Sequence, residues 1–122
     1  MTKNSRSAGK KGEDLACRFL KKDKYKILEK NYSCRQGEID IIAEDRKSVL
    51  CFVEVKARSR KDYGLPIEAV TYSKQKKLLA TAFMYLESNK IESQDMRFDI
   101  VSVDLKSEEI QIVKNAFDVN YY

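Results

Sequence analysis

A predicted β-hairpin near the middle of the chain constrains the fold more than any other stretch. Two runs rich in β-branched and aromatic residues, 38–43 and 49–56, flank a polar connection at 44–48. This pattern is the usual signal for a strand, a turn and a second strand. Because the connection is short, we expect the two strands to be antiparallel neighbours.

Side-chain alternation gives one end of this hairpin a charged cluster. A register that closes at the middle of the loop sets Ile42 opposite Phe52 and Asp40 opposite Glu54, and Lys56 shares a strand face with Glu54. The second strand is apolar on both faces before it reaches these charges, which is typical of a strand inside a covered sheet. Two carboxylates at the end of a buried strand favour a bound cation or a raised pKa. An ordinary surface ion pair between Glu54 and Lys56 is the alternative, and such a pair contributes little stability.

The composition excludes several classes of chemistry. The chain has 122 residues, of which 43% are hydrophobic and 35% charged, and this predicts a single globular domain over 1–122. It contains no histidine, so imidazole bases and histidine-ligated zinc are excluded. Cys17, Cys34 and Cys51 are not spaced as a zinc site or a disulfide framework. The sequence has no membrane span or secretory signal, and we expect a cytoplasmic protein.

Positive charge is concentrated in the part of the chain that carries the hairpin. Residues 1–77 contain 20 lysines and arginines against 11 acids, whereas residues 78–122 contain 4 against 8. The segment 1–11 is polar and basic, and we expect it to form a flexible arm or a frayed helix start. A basic surface favours a polyanionic partner, although many basic proteins without such a partner have a similar composition.

Two helices are predicted around the hairpin. Apolar residues recur at helical spacing from residue 12 to about residue 23, with Glu13 on or beside the buried face. A second helix is expected from an N-cap at Ser73 to about Ser88. Gln75 continues the buried stripe of this second helix toward its N-terminus. The stripe is predicted to comprise Leu78, Leu79, Ala82, Phe83 and Leu86.

Basic side chains flank the charged cluster on two sides. Lys74 and Lys77 lie at the start of the second helix, where the helix dipole adds to the positive potential. The loop directly after the charged strand end contains Arg58, Arg60 and Lys61. Cations at these places are suited to phosphate groups beside the cluster, and an ordinary solvated loop is an equally good interpretation of the composition.

Three further strands complete the expected domain. A strand over 25–32 precedes the hairpin, and strands over 97–104 and 109–113 follow the second helix. The aromatic C-terminal segment is expected to pack on the core. The predicted architecture is therefore α/β, with a mixed central sheet flanked by helices and the order α-β-β-β-α-β-β.

This arrangement resembles the restriction-endonuclease-like superfamily, whose signature is written PD-(D/E)XK. Asp40 and the Glu54-x-Lys56 sequence match the signature, while Ile39 stands where the signature has proline. Over nearly the whole chain the sequence is similar to the YraN family of small bacterial proteins. The motifs that carry this similarity are Gly12-Glu13, the stretches 37–43 and 52–58, Gly64-x-Pro66 through Ala69-Val70, and Arg97-Phe98-Asp99.

The resemblance implies a restriction-endonuclease-like core and a metal-dependent nuclease. It assigns Asp40 and Glu54 as ligands of Mg²⁺ or Mn²⁺, with Glu13 assisting. Lys56 would orient the attacking water or stabilise developing charge. The implied substrate is nucleic acid, in the first place DNA and including branched or junction DNA, and the resolvase relatives imply a homodimer.

The resemblance also assigns Gln75 to the catalytic group. This residue occupies a position where RecB-type members of the superfamily carry a glutamine near the metal, although Leu79 stands where those members often have tyrosine. Two other functions stay open. The protein could bind nucleic acid without cleaving it, or cleave only with a partner. The charges could also be fold-stabilising pairs, in which case DNA binding would be absent at any salt concentration.

Overall fold

Two helices and five strands make up the part of the chain that the computed structural model describes, residues 2–59 and 70–117, with side chains from residue 9 onward. The elements are α1 (Thr2–Lys22), β1 (Lys26–Cys34), β2 (Gly37–Glu44), β3 (Leu50–Arg58), α2 (Tyr72–Ser88), β4 (Met96–Asp104) and β5 (Ile110–Val113). The predicted α/β class and the order α-β-β-β-α-β-β are confirmed. Arg60, Lys61 and the Gly64-x-Pro66 motif lie outside the described residues.

The strands form one mixed sheet in the order β1-β2-β3-β4-β5. Strands β1 and β2, β2 and β3, and β4 and β5 pair antiparallel, whereas β3 and β4 are parallel and are connected through α2. Ile42 pairs with Phe52, so the predicted hairpin register is confirmed. Strand β3 therefore lies in the centre of the sheet.

Each face of the sheet is covered by one helix. Helix α1 packs Leu15 and Leu20 against a core that includes Val53, and α2 packs against the opposite face, where the core includes Phe52 and Phe98. Successive side chains of β3 thus enter both cores, which confirms the expectation that this strand is covered on both sides. Each large apolar side chain buried in this way contributes about 1.5–3 kcal/mol.

Helix boundaries differ from the prediction at two N-termini. Helix α1 begins at Thr2 rather than near residue 12. Helix α2 begins at Tyr72, and its N-cap is Thr71 rather than Ser73. The hydroxyl of Thr71 accepts a hydrogen bond of 3.2 Å from the amide of Lys74, so Ser73 is already inside the first turn. Neither helix in the described part of the chain is long and apolar enough to cross a bilayer.

The buried stripe of α2 is also different from the predicted one. Phe83 is 50% exposed, whereas Tyr85 is only 6% exposed and takes the place expected for it. The ring of Tyr85 meets those of Tyr32 and Phe52 edge to face, with centroids 5.2 and 6.1 Å apart. This geometry is favourable for aromatic pairs, and it sets the rotation of α2 about its own axis.

The C-terminal segment packs onto the face that α2 covers. Phe117 stacks on Phe98 with ring centroids 4.8 Å apart, and the amide of Ala116 donates a hydrogen bond of 2.7 Å to the carbonyl of Phe98. The predicted docking of the aromatic tail is confirmed for Phe117. Tyr121 and Tyr122 lie outside the described residues.

Candidate active site

The charged cluster lies where β2 and β3 separate. Their pairing ends at Ile41 and Val53, whereas β3 remains paired with β4 to its last residue. Asp40 immediately precedes Ile41 and lies just outside the part of β2 that pairs with β3. Its Oδ2 accepts a hydrogen bond of 2.8 Å from the backbone amide of Val55. A side chain thus takes the place of a main-chain partner, and it holds the carboxylate of Asp40 against β3.

Glu54 is the second carboxylate of the cluster, and two ammonium groups contact it. The residue is 8% exposed. The Nζ of Lys56 lies 3.3 Å from Oε2 of Glu54, and the Nζ of Lys74 lies 2.5 Å from the same oxygen. Lys56 belongs to β3 and Lys74 to the first turn of α2, so this carboxylate joins the strand to the helix.

Burial and neighbouring charges shift the pKa values of Asp40, Lys56 and Lys74. Burial, followed by the negative charge of Glu54, raises the pKa of Asp40 to about 7. Burial and the neighbouring Lys74 lower the pKa of Lys56. Burial is also the largest single effect on Lys74 and acts in the same direction, but the hydrogen bond to Glu54 and the contacts with Lys56 and Asp40 together outweigh it, and the pKa of Lys74 is raised. Asp40 is therefore the member of the cluster whose charge is least compensated.

A cavity of about 180 Å³ opens beside the cluster, between β2, β3 and the start of α2. A water molecule takes up about 30 Å³ in the liquid, so the cavity has room for a cation together with several waters. The residues that line it are Gly37, Glu38, Asp40, Glu54, Lys74, Lys77, Leu78 and Thr81.

A glycine and a threonine bring β2 and α2 close together at this cavity. A Cβ atom on Gly37 would lie 3.1 Å from the hydroxyl oxygen of Thr81, and the φ angle of Gly37 is +150°, a value that L side chains rarely adopt. Thr81 is fully buried, and its hydroxyl donates to the carbonyl of Lys77 at 2.7 Å. Gly37 therefore permits both the turn before β2 and the narrow gap to α2.

Glu13 approaches the cluster from α1. Its charge adds to the effects of burial and Glu54 that raise the pKa of Asp40, which places it near that carboxylate. Its side chain lines a second cavity, together with Lys10, Asp14, Lys30 and Asn31. The predicted position of Glu13 beside the buried face of α1 is confirmed, because the residue is half-buried.

Gly12 allows α1 to approach the strand that carries Glu54 and Lys56. A Cβ atom on Gly12 would overlap the Cβ atom of Ala57. Glycine inside a helix costs about 1 kcal/mol relative to alanine, and here the missing side chain permits a helix-to-strand contact that no other residue allows. In the Gly12-Glu13 motif, the glycine lets α1 lie close to β3, and the next residue supplies a carboxylate beside that contact.

The oxygen donors suit a hard divalent cation with two protein ligands. Across side chains 9–59 and 70–117, no group of three Asp, Glu or Cys residues converges as a metal site would. Mg²⁺ usually takes one or two carboxylates and completes its octahedron with waters and substrate oxygens, and Mn²⁺ accepts the same donors. Asp40 and Glu54 fit this requirement, while Glu13 is not part of a converging triad.

Three other predicted residues lie around the cluster rather than within it. The Nε2 of Gln75 donates to the carbonyl of Val70 at 3.1 Å, and Gln75 is not among the residues that line the cavity. A catalytic role for Gln75 stays a prediction. Lys77 does line the cavity, and Arg58 is the last residue of β3.

Lys74 makes a contact that was not predicted from the sequence, while its predicted role at a phosphate stays a prediction. It was expected as a phosphate contact at the tip of the helix, and the structure makes it the direct partner of Glu54. The signal was present, because Lys74 precedes the buried Leu78 by one helical turn and therefore shares its face. Gln75 precedes the buried Leu79 in the same way, and both Lys74 and Gln75 are half-buried.

The Arg97-Phe98-Asp99 motif forms a structural network on the other face of the sheet. The guanidinium of Arg97 contacts Asp99 at 3.0 Å, Asp45 at 2.7 Å and the hydroxyl of Tyr25 at 2.7 Å. Asp99 is 1% exposed. The network joins β4 to the hairpin loop and to the residue before β1, so this motif supports the sheet and does not contribute to the cavity.

Residues 12–103 match a family model described as "Uncharacterised protein family UPF0102". The chain is 46% identical to a UPF0102 protein of Syntrophus aciditrophicus, over 99% of this chain and 95% of that protein. It is 47% identical to one of Acetivibrio thermocellus, over 93% of each chain. A third, of Geobacter metallireducens, is 41% identical over 99% of this chain and 100% of its own length. The matched residues include every member of the charged cluster.

Proposed function

The chain belongs to the UPF0102 family, and we propose that it is a metal-dependent nuclease that hydrolyses phosphodiester bonds in DNA. The observation that carries the proposal is the pair of carboxylates, Asp40 and Glu54, where β2 and β3 separate, with Lys56 in contact with Glu54. The resemblance of these three residues to the PD-(D/E)XK signature supports the same assignment. Branched or junction DNA is the substrate that the resolvase resemblance favours.

Asp40 and Glu54 would hold the Mg²⁺ or Mn²⁺ ion. Burial and the charge of Glu54 raise the pKa of Asp40 to about 7, and a divalent cation beside both carboxylates would relieve their repulsion. When bound, such an ion supplies Lewis-acid polarisation of a phosphoryl oxygen and an activated water. Glu13 would assist through its charge, which acts on Asp40 from α1.

Lys56 would stabilise the negative charge that develops on the phosphoryl group. Its side chain is 24% exposed and is held 3.3 Å from Glu54, so the ammonium is positioned before substrate arrives. A preorganised cation in a partly buried site stabilises developing charge more strongly than the same group in water. The pKa of Lys56 is lowered by burial and by Lys74, and this suits a group that also orients the attacking water.

Basic residues beside the cavity would bind the DNA backbone. Lys77 lines the cavity near the N-terminus of α2, where the helix dipole favours anions, and Arg58 ends the strand that carries Glu54. Phosphate contacts weaken as salt increases, because binding releases counterions from the DNA. Arg58→Ala is therefore expected to weaken DNA binding and to reduce the salt dependence of that binding. It should have a smaller effect on the rate at which bound DNA is cleaved.

One observation favours a second function, a nucleic-acid-binding protein that keeps the fold and either does not cleave or cleaves only with a partner. Lys56 and Lys74 both contact Glu54, so this carboxylate has two cationic partners within the chain. A buried carboxylate paired in this way also serves as a structural link between a strand and a helix. Metal-dependent hydrolysis distinguishes the two functions.

Cleavage of labelled DNA tests the proposal directly. A four-way junction and a linear duplex of matched sequence are incubated with Mg²⁺, with Mn²⁺ or with EDTA. The test variant is Asp40→Asn, and the matched control is Glu92→Gln, an exposed acid in the connection after α2. We expect cutting by the wild type and by Glu92→Gln with either metal, and none with EDTA or with Asp40→Asn.

The other outcomes of this experiment are equally informative. Salt-sensitive binding without cutting under any metal condition supports the second function. Undiminished cleavage by Asp40→Asn rules out the assigned site. If the protein binds no DNA at any salt concentration, the result supports the interpretation that the charges only stabilise the fold.

A further inference from the structure

The contact between Lys74 and Glu54 occupies one oxygen of a carboxylate that would hold the metal ion. The Nζ of Lys74 lies 2.5 Å from Oε2 of Glu54, and Lys56 reaches the same atom at 3.3 Å. A magnesium–oxygen bond is about 2.0–2.1 Å long. An ammonium in close contact with this carboxylate and a divalent cation held by the same carboxylate would repel each other at short range.

The two lysines differ in their freedom to leave Glu54. Lys56 is two residues away on the same strand face, and its side chain is 24% exposed. Lys74 reaches Glu54 from the opposite wall of the cavity, on α2, and its side chain is 39% exposed. The backbone of Lys74 is held by the Thr71 cap, so a change of side-chain rotamer can move the ammonium into the cavity without moving the helix.

We propose that Lys74 and the divalent metal compete for the carboxylate of Glu54, and that the ammonium of Lys74, when displaced from Glu54, contacts a phosphate of the substrate. This inference rests on the proposed nuclease function and adds a role for one residue. Lys74 lines the cavity together with Lys77 and both carboxylates, so an ammonium released from Glu54 remains beside the place where a phosphate would lie.

Competition has a consequence that a purely structural role for Lys74 lacks. If Lys74 only held α2 to β3, its removal would change metal binding no more than the loss of another positive charge near the carboxylates does. If Lys74 competes with the metal, its removal should tighten metal binding, by roughly tenfold for the loss of one charge-assisted hydrogen bond. Lys74→Arg keeps a cation at this position and should bind metal with an affinity near that of the wild type.

Lys77 provides the matched control. It belongs to the same helix, lines the same cavity and carries the same charge, while the ion pairs to Glu54 in the described structure come from Lys56 and Lys74. Lys77→Met therefore reports the general effect of removing one positive charge near the carboxylates. Lys74→Met should tighten metal binding clearly more than Lys77→Met does.

The experiment is calorimetric titration of Mn²⁺ into the full-length wild type and these three variants, without DNA. The proposal predicts a dissociation constant about tenfold lower for Lys74→Met, with much smaller changes for Lys74→Arg and Lys77→Met. An equal or higher dissociation constant for Lys74→Met overturns it, as does an equal change in Lys77→Met. Circular dichroism checks the fold, and Lys74→Gln replaces Lys74→Met if that variant does not fold.

The same titration separates this inference from the proposed function. If neither the wild type nor Lys74→Met binds Mn²⁺, both the metal site and the competition are wrong. If the wild type binds Mn²⁺ and Lys74→Met binds it with the same affinity, the metal site stands and only the competition is wrong. Binding by Lys74→Met alone supports the competition in its strongest form.

DNA binding tests the transfer of Lys74 to phosphate. Affinity for the duplex is measured with EDTA and with Ca²⁺, an oxygen-seeking cation, for the wild type and Lys74→Met. The variant should lose affinity mainly in the presence of Ca²⁺, because only then is the wild-type ammonium free to contact phosphate. An equal loss under both conditions overturns the transfer.

Discussion

The carboxylate of Asp40 accepts a hydrogen bond of 2.8 Å from the backbone amide of Val55, across the point where β2 and β3 separate. Because Val55 follows Glu54 directly in the chain, this bond ties one acidic side chain to the backbone that carries the other. The geometry of the carboxylate pair is therefore maintained by β3 itself. Substitutions that keep the shape of these side chains should change the chemistry of the site and leave the fold intact.

Without divalent metal, the protein should lose stability as the pH rises from about 4 to about 7. Burial and the charge of Glu54 raise the pKa of Asp40 from 3.8 to about 7, so over this interval the folded state holds a proton that the unfolded state has released. Stability falls with pH wherever the folded state binds more protons. Urea denaturation in EDTA from pH 4 to pH 8 measures the trend.

Asp40→Asn is the control for this pH dependence. It removes the titrating group, so the difference in unfolding free energy between wild type and variant should change across the same interval and level off above it. Titrating groups outside the charged cluster, including Asp45, are common to both proteins and cancel in the difference. Parallel pH profiles for the two proteins would show that Asp40 titrates normally.

Glu54→Gln and Lys56→Met should each reduce single-turnover cleavage by about 100-fold or more, the usual effect of removing one preorganised electrostatic group. Both residues act on the reacting phosphate or the metal in the proposed mechanism, so DNA binding should change less than the rate. The control is Lys76→Met, because Lys76 is exposed and lies over the ring of Tyr72. Cleavage that is as fast in Lys56→Met as in Lys76→Met would exclude the assigned role.

Gly12→Ala should destabilise the protein by about 1–3 kcal/mol, as expected for overpacking, because the added methyl group overlaps Ala57. Gly9→Ala is the matched control on the same helix. Nothing lies within 4 Å of a Cβ atom there, so this change should stabilise α1 by up to about 1 kcal/mol. Urea denaturation measures both variants.

A second substitution tests the cause of the Gly12→Ala effect. Ala57→Gly removes the group that the new methyl would meet, so it should restore part of the stability lost in Gly12→Ala. It should also restore cleavage if displacement of α1 had moved Glu13. A double variant no more stable than Gly12→Ala alone would show that the contact is not the cause.

Arg97→Met should destabilise the protein by about 3–5 kcal/mol, the cost of leaving one partner of a buried ion pair alone. Arg97→Lys should recover only part of this loss, because one ammonium cannot reproduce the contacts of the guanidinium with Asp99, Asp45 and Tyr25. Arg46→Met, an exposed neighbour of Asp45, is the control. Equal urea midpoints for Arg97→Met and Arg46→Met would contradict the structural role of the network.

Alternation along the strands predicted the centre of the sheet correctly, including the pairing of Ile42 with Phe52. This succeeded because a strand with two apolar faces has few alternatives, and a short hairpin loop limits the register. The same alternation brought Asp40 and Glu54 to one end of the hairpin, and the structure adds the hydrogen bond from Val55.

The helix phase of α2 was harder to predict, because it depends on contacts between elements. Phe83 and Tyr85 are both aromatic and both compatible with a buried position, and the rings of Tyr32 and Phe52 decide in favour of Tyr85. That choice also turns Lys74 toward Glu54. Asp99 is two residues from Arg97 on the same strand, but the other two partners, Asp45 and Tyr25, belong to distant parts of the chain, so local sequence could not identify them.

The contact between Gly12 and Ala57 is a point of close approach between α1 and β3. At this point the helix and β3 approach each other so closely that a Cβ atom has no room, while Gly9, one turn earlier, has nothing within 4 Å of its Cβ position. If α1 swings about this contact, residues far from it move most and its immediate neighbour Glu13 moves least. The position of Glu13, next to this contact, therefore follows the position of β3 more directly than that of any residue farther along α1.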